Sequence, residues 1–522
     1  MCCTLAAERI RVYCAGFNRV IELLILIDLF FTWMEALMIR TLILLVLFVL
    51  IPSHSSRGSV KPPNILLLLA DDVGVDQIEA YGLGGDPPTL PNIGKLVNEG
   101  VMFRNAWANP VCSSTRSTIM TGRYGFRTGM GFVVRPAFSM KPSELTLPEA
   151  LDQQATGYSH AAIGKWHLSN DNFGGLAAPN VAGFDHYSGC LTNVAASNSS
   201  YFSWLHVENG TASPGTGYLT TRTVADAAEW IASAQEPWFS YVAFHAGHSP
   251  FHTPPAELFS VDLSQAGPPS SDPQPYFKAM LEAMDTEIGV LFERLAPYLS
   301  NTNIIFVGDN GTPTSVTVPP FLPSHAKATV YQGGVQVPLL ISGPSVTQAG
   351  VECSALVSTV DIFSTVLELA GIEGAFGPVD PGVQPGVSTG MSADQYLSVL
   401  GVRLDGVSLV PYLSNPERPS IRQTVFVELF DPNGIGPKTK LLRAIRGERY
   451  KYLFHDPADP DAETDESPPE LGVGTGSSEE EFYDLEMDPF ELNDLLLQPV
   501  LTPAEQQAYE YLKREMNELL KS

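Results

Sequence analysis

The chain has 522 residues, 44% of them apolar, with 44 Gly and 42 Pro, more than one minimal domain needs and enough to bury a large core. Its formal charge of −27, from 57 Asp and Glu against 30 Lys and Arg, excludes a general affinity for nucleic acid and electrostatic capture by anionic membranes. An anionic ligand stays allowed, because a metal and a few local cations can set the field inside a pocket.

Two apolar stretches open the chain, Val20 to Phe31 and Thr41 to Ile51. The first carries Glu22 and Asp28 and makes a poor membrane span. The second lies between Arg40 and Pro52-Ser53-His54-Ser55 and has the proportions of a signal-peptide apolar region. Residues 1–58 are read as a signal peptide or signal anchor, with Met38 as the natural start and 1–37 as an upstream extension. Either form implies export, and the anchor form is the only membrane link the sequence offers. Cys2, Cys3 and Cys14 fall in this region, leaving Cys112, Cys190 and Cys353, too few for a disulfide scaffold. Cys190 and Cys353 could pair or stay free. Sequons at Asn198 and Asn209 suit a glycosylated surface loop, and a third begins at Asn310.

Beyond residue 58 the chain reads as α/β. Asn64 to Ala70 is a continuous apolar run that stops at Asp71 and Asp72, as a buried parallel strand would. The same grammar recurs in Trp238 to Phe244, which leads to His245 and His248, and in Asn303 to Val307, which leads to Asp309 and Asn310. Helix-like segments, Thr223 to Ala234 and Tyr276 to Leu295, lie between them. The alternation predicts a large mixed, mostly parallel sheet sandwiched by helices. Ligands of open α/β sheets bind outside the carboxyl ends of the strands, so three polar strand endings point to one shared site. Residues 59–400 are expected to form the catalytic domain and 401–522 a smaller α+β subdomain. The latter includes the strand-like Leu441 to Phe454 and an acidic solvated loop at 456–481. Gly174 to Asn209 and Gly371 to Gly401 read as loops that would set specificity.

Several words along this frame carry chemistry. Cys112-Ser113-Ser114-Thr115-Arg116, continuing to Thr121-Gly122-Arg123, puts a nucleophile at a helix N-terminus, where unpaired N–H groups favour an anion, with Arg116 on the next turn. Gly164-Lys165-Trp166-His167-Leu168 sets a cation and an imidazole two residues apart. Asp71, Asp72, Asp309 and Asn310 are hard oxygen donors at two strand ends, fit for calcium, or alternatively magnesium.

Together these words resemble the formylglycine-dependent, arylsulfatase-like sulfatases of the alkaline phosphatase superfamily. The first resembles that family's Cys-x-Pro-x-Arg signature, with Ser114 where most members have Pro. The second matches Gly-Lys-Trp-His-Leu, and Leu-Leu-Ala-Asp-Asp and Gly-Asp-Asn-Gly look like its metal words. His248-Ser249-Pro250 matches its His-Ser/Thr-Pro, while Lys327 matches the Lys that precedes Tyr-Glu-Gly-Gly-x-Arg-Val-Pro. Gln332 and Gln336 replace the Glu and Arg of that last motif, which would remove an internal salt bridge. The likeness runs from about residue 62 to about 495.

It implies a sulfuric ester hydrolase whose nucleophile is hydrated formylglycine made from Cys112 by a maturation enzyme that reads this segment. Arg116, Lys165 and Lys327 would hold charge on the diol and sulfate. His248, with Lys327, would protonate the leaving oxygen, and His167 would take a proton from the diol. Asp71, Asp72, Cys112, Asp309 and Asn310 would surround calcium; a buried Asn310 would then be closed to glycosylation. His245 and His252 read as supporting residues. The implied partners are a sulfated small molecule or glycan and the maturation enzyme, in the secretory pathway: secreted, lysosome-like or anchored in the lumen. Two other readings are a phosphate or phosphonate ester hydrolase of the same superfamily, and an unconverted pseudo-sulfatase that binds sulfated glycans.

Overall fold

All seven residues of strand β1 (Asn64–Ala70) are buried, as a run apolar on both faces requires. The computed structural model describes residues 33–34, 62–154, 156–194, 199–372, 402–434, 436–456 and 480–522. The chain divides into units of residues 1–61 and 62–522, and of the first only Trp33 and Met34, both helical, are described. Both N-terminal apolar stretches, Cys2, Cys3, Cys14, Asn198, most of the 371–401 loop and most of the acidic stretch lie outside the described residues. No helix among the described residues is long and apolar enough to cross a membrane.

Parallel neighbours of β1 are β7 (Trp238–Ala243) and β8 (Thr302–Gly308). The three runs singled out in the sequence are therefore adjacent strands whose carboxyl ends emerge together. The remaining strands of the large sheet are β2 (Gly100–Trp107), β3 (Ser159–Lys165), β4 (His186–Cys190), β5 (Ser203–Glu208), β6 (Thr211–Thr216), β9 (Leu339–Ser342) and β10 (Val351–Ser358). Their order is β10-β2-β9-β8-β1-β7-β3-β4-β5-β6. The β1, β3, β7 and β8 centre is parallel, while β9 and the β5–β6 hairpin run antiparallel to their neighbours. The segment 174–209, expected as loop, thus contains β4 and the whole of β5. His-Tyr-Ser-Gly-Cys lacks the apolar run that marks a strand, and only its parallel pairing with β3 makes it one.

Alternation along β1 divides the core. Ile65, Leu67 and Leu69 pack with helices α2 (Cys112–Thr121), α3 (Leu147–Gln153) and α6 (Asp361–Leu369). Leu66, Leu68 and Ala70 face α1 (Pro91–Glu99), α4 (Leu219–Ser233) and α5 (Gln274–Arg294) on the other side. This is the mixed, mostly parallel sheet between helices expected from the sequence. Helix α4 begins a turn before the expected Thr223, because Leu219, Thr220 and Thr223 continue its buried face through residues of low helix propensity. Cys353 lies in the first core and Cys190 in the second, and both are free thiols.

A smaller antiparallel sheet follows, in the order β11 (Val425–Asp431), β12 (Lys440–Arg446), β13 (Tyr450–Asp456) and β14 (Glu480–Asp484). The run Leu441 to Phe454 forms the β12–β13 hairpin, and helix α7 (Pro503–Lys521) packs Leu512 and Met516 on this sheet. Val425, Val427, Ala444 and Leu453 pack with Trp107 and Leu356 of the large sheet and with Val330, Tyr331 and Val335. The segment that follows Lys327 is thereby held between the two sheets. Residues Leu404, Leu409, Tyr412 and Leu413 still belong to the large-sheet core.

Candidate active site

Four strand ends, those of β1, β3, β7 and β8, one helix start and the segment carrying Lys327 supply the site. Past β1, Asp71 donates its N–H to Ala246 O (3.1 Å) and accepts at its own carbonyl from Gly247 N (2.7 Å), which joins the β1 and β7 endings. Asp309 N donates to Ala70 O (3.0 Å), which joins the β8 ending. A Cβ on Gly311 would stand 1.9 Å from Gly333 O, so only glycine allows the β8 ending to approach the segment carrying Lys327.

Helix α2 is buried along its whole length and begins at Cys112. Arg116, four residues on, projects from the same face. The Gly of Thr121-Gly122-Arg123 ends the helix at φ 65°, with its N–H on Thr118 O, which explains why the word needs glycine. Ser114 donates its hydroxyl to Val111 O (2.9 Å), closing the first turn.

The expected residues form one connected cluster. Arg116 places Nε and one terminal nitrogen on Asp309 Oδ2 (3.1 and 2.7 Å), with Asp71 Oδ2 3.7 Å away. Its other nitrogen donates to Lys165 O (2.9 Å) and Tyr241 Oη (3.3 Å). Lys165 donates to Asp71 Oδ2, and Lys327 to Asp72 Oδ2 (2.8 Å). Asp72 N donates to Asp309 Oδ1 (3.1 Å), and His248 Nε2 lies 4.0 Å from Asp72 Oδ2. His167 Nδ1 lies 3.2 Å from Cys112 Sγ. Three cations thus interleave three carboxylates, all but Lys327 essentially solvent-free. Such burial of charge persists only where every partner is in place.

Backbone strain gathers here. Asp72 (φ 62°), His167 (φ 55°) and Ala328 (φ 69°), next to Lys327, are left-handed non-glycine residues, a conformation that surrounding structure must enforce. Gly164 (φ 91°) has no room for a side chain, since a Cβ would meet Ala243 O at 2.1 Å, and its conformation sets Lys165 and His167 beyond β3.

Electrostatics follow from burial and charge. Burial pushes the Cys112 thiol up, so unmodified sulfur is neutral and a weak nucleophile. Burial, with Lys165 and Arg116, holds His167 well below its ordinary range, and burial with Lys327 takes His248 down to about 3, so both imidazoles are neutral. Burial opposes ionisation of Asp72, but the ammonium groups of Lys327 and, farther off, Lys165 outweigh it and keep the carboxylate charged.

A metal fits this donor set. A carboxylate oxygen of Asp71, one of Asp309 and Cys112 Sγ lie within 4.8 Å of one another. Asp71 Oδ1 and Asn310 Oδ1 are buried without a hydrogen-bond partner among the described residues. Asn310 Nδ2 donates to Asp72 Oδ1 (2.8 Å) and Gly311 O (3.0 Å), which leaves its oxygen free to accept. Hard oxygens left bare beside carboxylates are what a calcium or magnesium ion takes. Asn310 is fully buried, so its sequon offers nothing to glycosylation, whereas Asn209 is exposed at the β5–β6 turn.

Sequence reasoning missed Tyr241, which meets Arg116; Tyr201, whose hydroxyl bonds the carbonyls of His245 (2.5 Å) and His248 (2.6 Å); and Asn193, whose Nδ2 lies 3.3 Å from His248 Nε2. None carries a motif signal. His245 bonds Thr192 O through Nε2 (3.2 Å), and His252 stacks on Tyr201 at 4.2 Å, both one layer outside the cluster.

The model of the sulfatase family matches residues 63–372. Arylsulfatase G of Mus musculus is 29% identical over 374 residues, which span 61% of this chain and 67% of that protein. N-acetylgalactosamine-6-sulfatase of Homo sapiens is 31% identical over 359 residues, 61% of this chain and 64% of that protein. The fold is also that of a protein solved in complex with its substrate D-glucosamine-2-N,6-O-disulfate, with a TM-score of 0.61 and 20% identity over 88% of this chain and 98% of that one.

Proposed function

This chain belongs to the sulfatase family, and from that premise we propose that it hydrolyses the sulfate ester of a carbohydrate or aryl alcohol, with Cys112 oxidised to formylglycine and calcium held by Asp71, Asp72, position 112, Asp309 and Asn310. The observation that carries this reading is the single buried cluster in which Arg116, Lys165 and Lys327 face these carboxylates beside Cys112. The names of the relatives, and the sulfated glucosamine bound by the structural neighbour, favour a sulfated sugar.

Formylglycine at position 112 would supply, once hydrated, the oxygen nucleophile and a second hydroxyl able to give up a proton, chemistry that the Cys112 thiol lacks. Calcium held by these residues would supply positive charge for the sulfate oxygens. The chain's own residues do the rest. Arg116, fixed by Asp309 and the Lys165 carbonyl, cannot swing away and serves as permanent charge compensation. Lys165 and Lys327, each tied to a carboxylate, hold the anionic ester in line. His167, neutral and 3.2 Å from the atom at position 112, accepts the proton of the second hydroxyl. His248 and Lys327 together serve the departing alcohol, the proton coming from the charged Lys327 ammonium held by Asp72 while the neutral His248 ring stands beside it. Export follows from the leader-like N-terminus, with Asn209 as a glycan site and a formylglycine-generating enzyme as the maturation partner.

Mass spectrometry of the tryptic peptide Asn105 to Arg116 from secreted protein tests the nucleophile directly. The expected result is a mass deficit matching exchange of CH2SH for an aldehyde, together with sulfate release from 6-sulfated hexosamine or nitrophenyl sulfate. Conversion without sulfate release from any ester, or faster cleavage of nitrophenyl phosphate than of nitrophenyl sulfate, would defeat the reading. An unconverted thiol that Ser114→Pro leaves unconverted would favour a glycan-binding protein.

A further inference from the structure

The inner face of the small sheet borders the catalytic cluster and ends in a cation that the cluster does not use. Along β12, Ala444 packs in the group around Trp107, where β2 stops. Leu442, two residues back, packs with Val111, Phe132 and Ala328, and so beside Cys112 and Lys327. Side chains two apart on a strand share a face, so Lys440, the first residue of β12, stands on that face about 7 Å beyond Leu442. The direction from Trp107 past Val111 to Lys440 is the one from which ligands approach the carboxyl ends of such strands. The link is rigid. Asn433, between β11 and β12, accepts at Oδ1 from Gly131 N (3.0 Å) and Phe132 N (2.7 Å) and donates from Nδ2 to Val133 O (2.9 Å). Val134 N then donates to Ser113 Oγ (3.2 Å), next to Cys112. Lys440 pairs across the strands with Asp431, but Arg135 holds that carboxylate at 3.6 Å. Arg443 is taken by Glu428 (3.4 Å), and Lys438 donates to Pro432 O (3.0 Å). Lys440 is half-buried, and among the described residues its ammonium has no hydrogen bond and no carboxylate at ion-pair distance. Burial accordingly pulls its pKa down, with only Asp431 opposing. On a chain of net charge −27, the rim of the site thus carries a cation short of a partner.

We propose that Lys440 is a specificity-determining residue that binds a second anionic group of the substrate, a sulfate or carboxylate elsewhere on the sugar chain, so that a polyanionic glycan is preferred over an alcohol bearing one sulfate. The role rests on the sulfatase reading above. Lys165 and Lys327 are tied to Asp71 and Asp72, and Arg116 to Asp309, around the reacting group, which leaves Lys440 for an anion farther along the same ligand. An ammonium half withdrawn from water and lacking a counter-charge gains more from an anion than a fully solvated lysine does.

Substrates that differ only in their second charge isolate this role. Wild-type enzyme, Lys440→Met (similar in length, without charge) and Lys440→Arg are compared on nitrophenyl sulfate, a 6-sulfated hexosamine, a disulfated hexosamine and a 6-sulfated hexosamine linked to a uronic acid. Rates are normalised to aldehyde content by mass spectrometry, and melting temperatures in calcium confirm intact folding. The wild type is expected to prefer a doubly charged substrate, with a preference that shrinks as ionic strength rises. Lys440→Met should raise KM on that substrate by about 10- to 100-fold and alter the rates on the two singly charged esters by less than about threefold, while Lys440→Arg should restore most of the loss. Whether the disulfated or the uronate-linked substrate shows the effect separates sulfate from carboxylate. Equal losses on all four esters, a fall in kcat alone, or a wild-type preference indifferent to salt overturns the proposal, since each describes a structural residue or an uncharged contact. A wild-type protein that carries the aldehyde but cleaves none of the esters removes the sulfatase reading and this role with it; an active wild type whose KM values ignore Lys440→Met removes this role alone.

Discussion

Calcium should stabilise the folded chain, by an amount that follows from two oxygen atoms. Asp71 Oδ1 and Asn310 Oδ1 are buried with no hydrogen-bond partner among the described residues, and an unsatisfied buried acceptor costs about 1–3 kcal/mol. A cation that both oxygens reach relieves that cost, so saturation should raise the unfolding free energy by about 2–6 kcal/mol. Mass action gives a consistent figure, about 2.7 kcal/mol at a free concentration 100 times Kd. Domains of about 150–250 residues gain about 2–4 °C per kcal/mol, and a unit as long as 62–522 belongs at or below the low end of that range. Scanning calorimetry at a fixed scan rate, on protein stripped with EGTA and then titrated with calcium, reads the shift without depending on activity. Asn310→Ala supplies the control. It also loses the bond to Asp72, so its metal-free melting temperature should fall a little, and the further increment on adding calcium should drop to about half, because Asp71 Oδ1 still reaches the ion. No shift with calcium or magnesium in the parent protein, or an undiminished increment in the variant, would refute the assignment of these oxygens to a metal.

Arg116→Lys keeps the charge but loses the fork that spans Asp309, the Lys165 carbonyl and Tyr241; urea denaturation should show a loss of about 3–5 kcal/mol, and sulfate release should fall by at least about 100-fold. Ser114→Pro should raise the aldehyde fraction measured on the Asn105 to Arg116 peptide while leaving stability nearly unchanged. The third residue of a helix has no intrahelical use for its N–H, and the lost bond to Val111 O is worth about 1 kcal/mol. Burial pushes Glu428 up to about 7 despite Arg443, so the folded chain keeps a proton that the unfolded chain releases above pH 4.5. Stability from this group is therefore greatest below that value and declines as pH rises to about 7, by at most about 3 kcal/mol. Glu428→Gln, which can still accept from Phe126 N, should flatten the urea midpoint between pH 5 and 8.

The parts of the fold legible in the sequence were those whose burial is uniform. β1, β7 and β8 are covered on both faces, so their apolar runs and the polar residues that stop them could be read directly. β4 and the β5–β6 hairpin could not. β6 is an exposed edge containing Pro214 and Gly215, tolerated there because one side of its ladder has no neighbour. The site divides along the same line. Cys112, Lys165, His167 and the oxygen ligands sit in contiguous words at strand ends or a helix start. Asn193 reaches His248 only because β4 pairs in parallel with β3 and brings its carboxyl end to the β7 ending. That adjacency belongs to the sheet order, which no local spacing encodes.

The exchange of Glu and Arg for Gln332 and Gln336 has a physical resolution in the same region. Trp107 Nε1 donates to Gln332 Oε1 (2.9 Å), Gln332 Nε2 to Gln336 Oε1 (3.1 Å), and Gln336 Nε2 to Arg104 O (2.9 Å). A closed chain of neutral amides therefore spans the positions where a salt bridge was expected to be lost, with its polar groups satisfied. The buried ion pair lies next to it instead: Lys451 meets Glu491 at 2.6 Å and sits 4.8 Å over the Trp107 ring, while Gln332 N donates to Glu491. A glutamate at 332 would bring a second carboxylate close to Glu491, in a place where each buried charge already needs its partner. Neutral amides avoid that repulsion and still clamp the segment between the two sheets. Lys327 therefore keeps its hold on Asp72 even though the charged pair that usually accompanies it is gone.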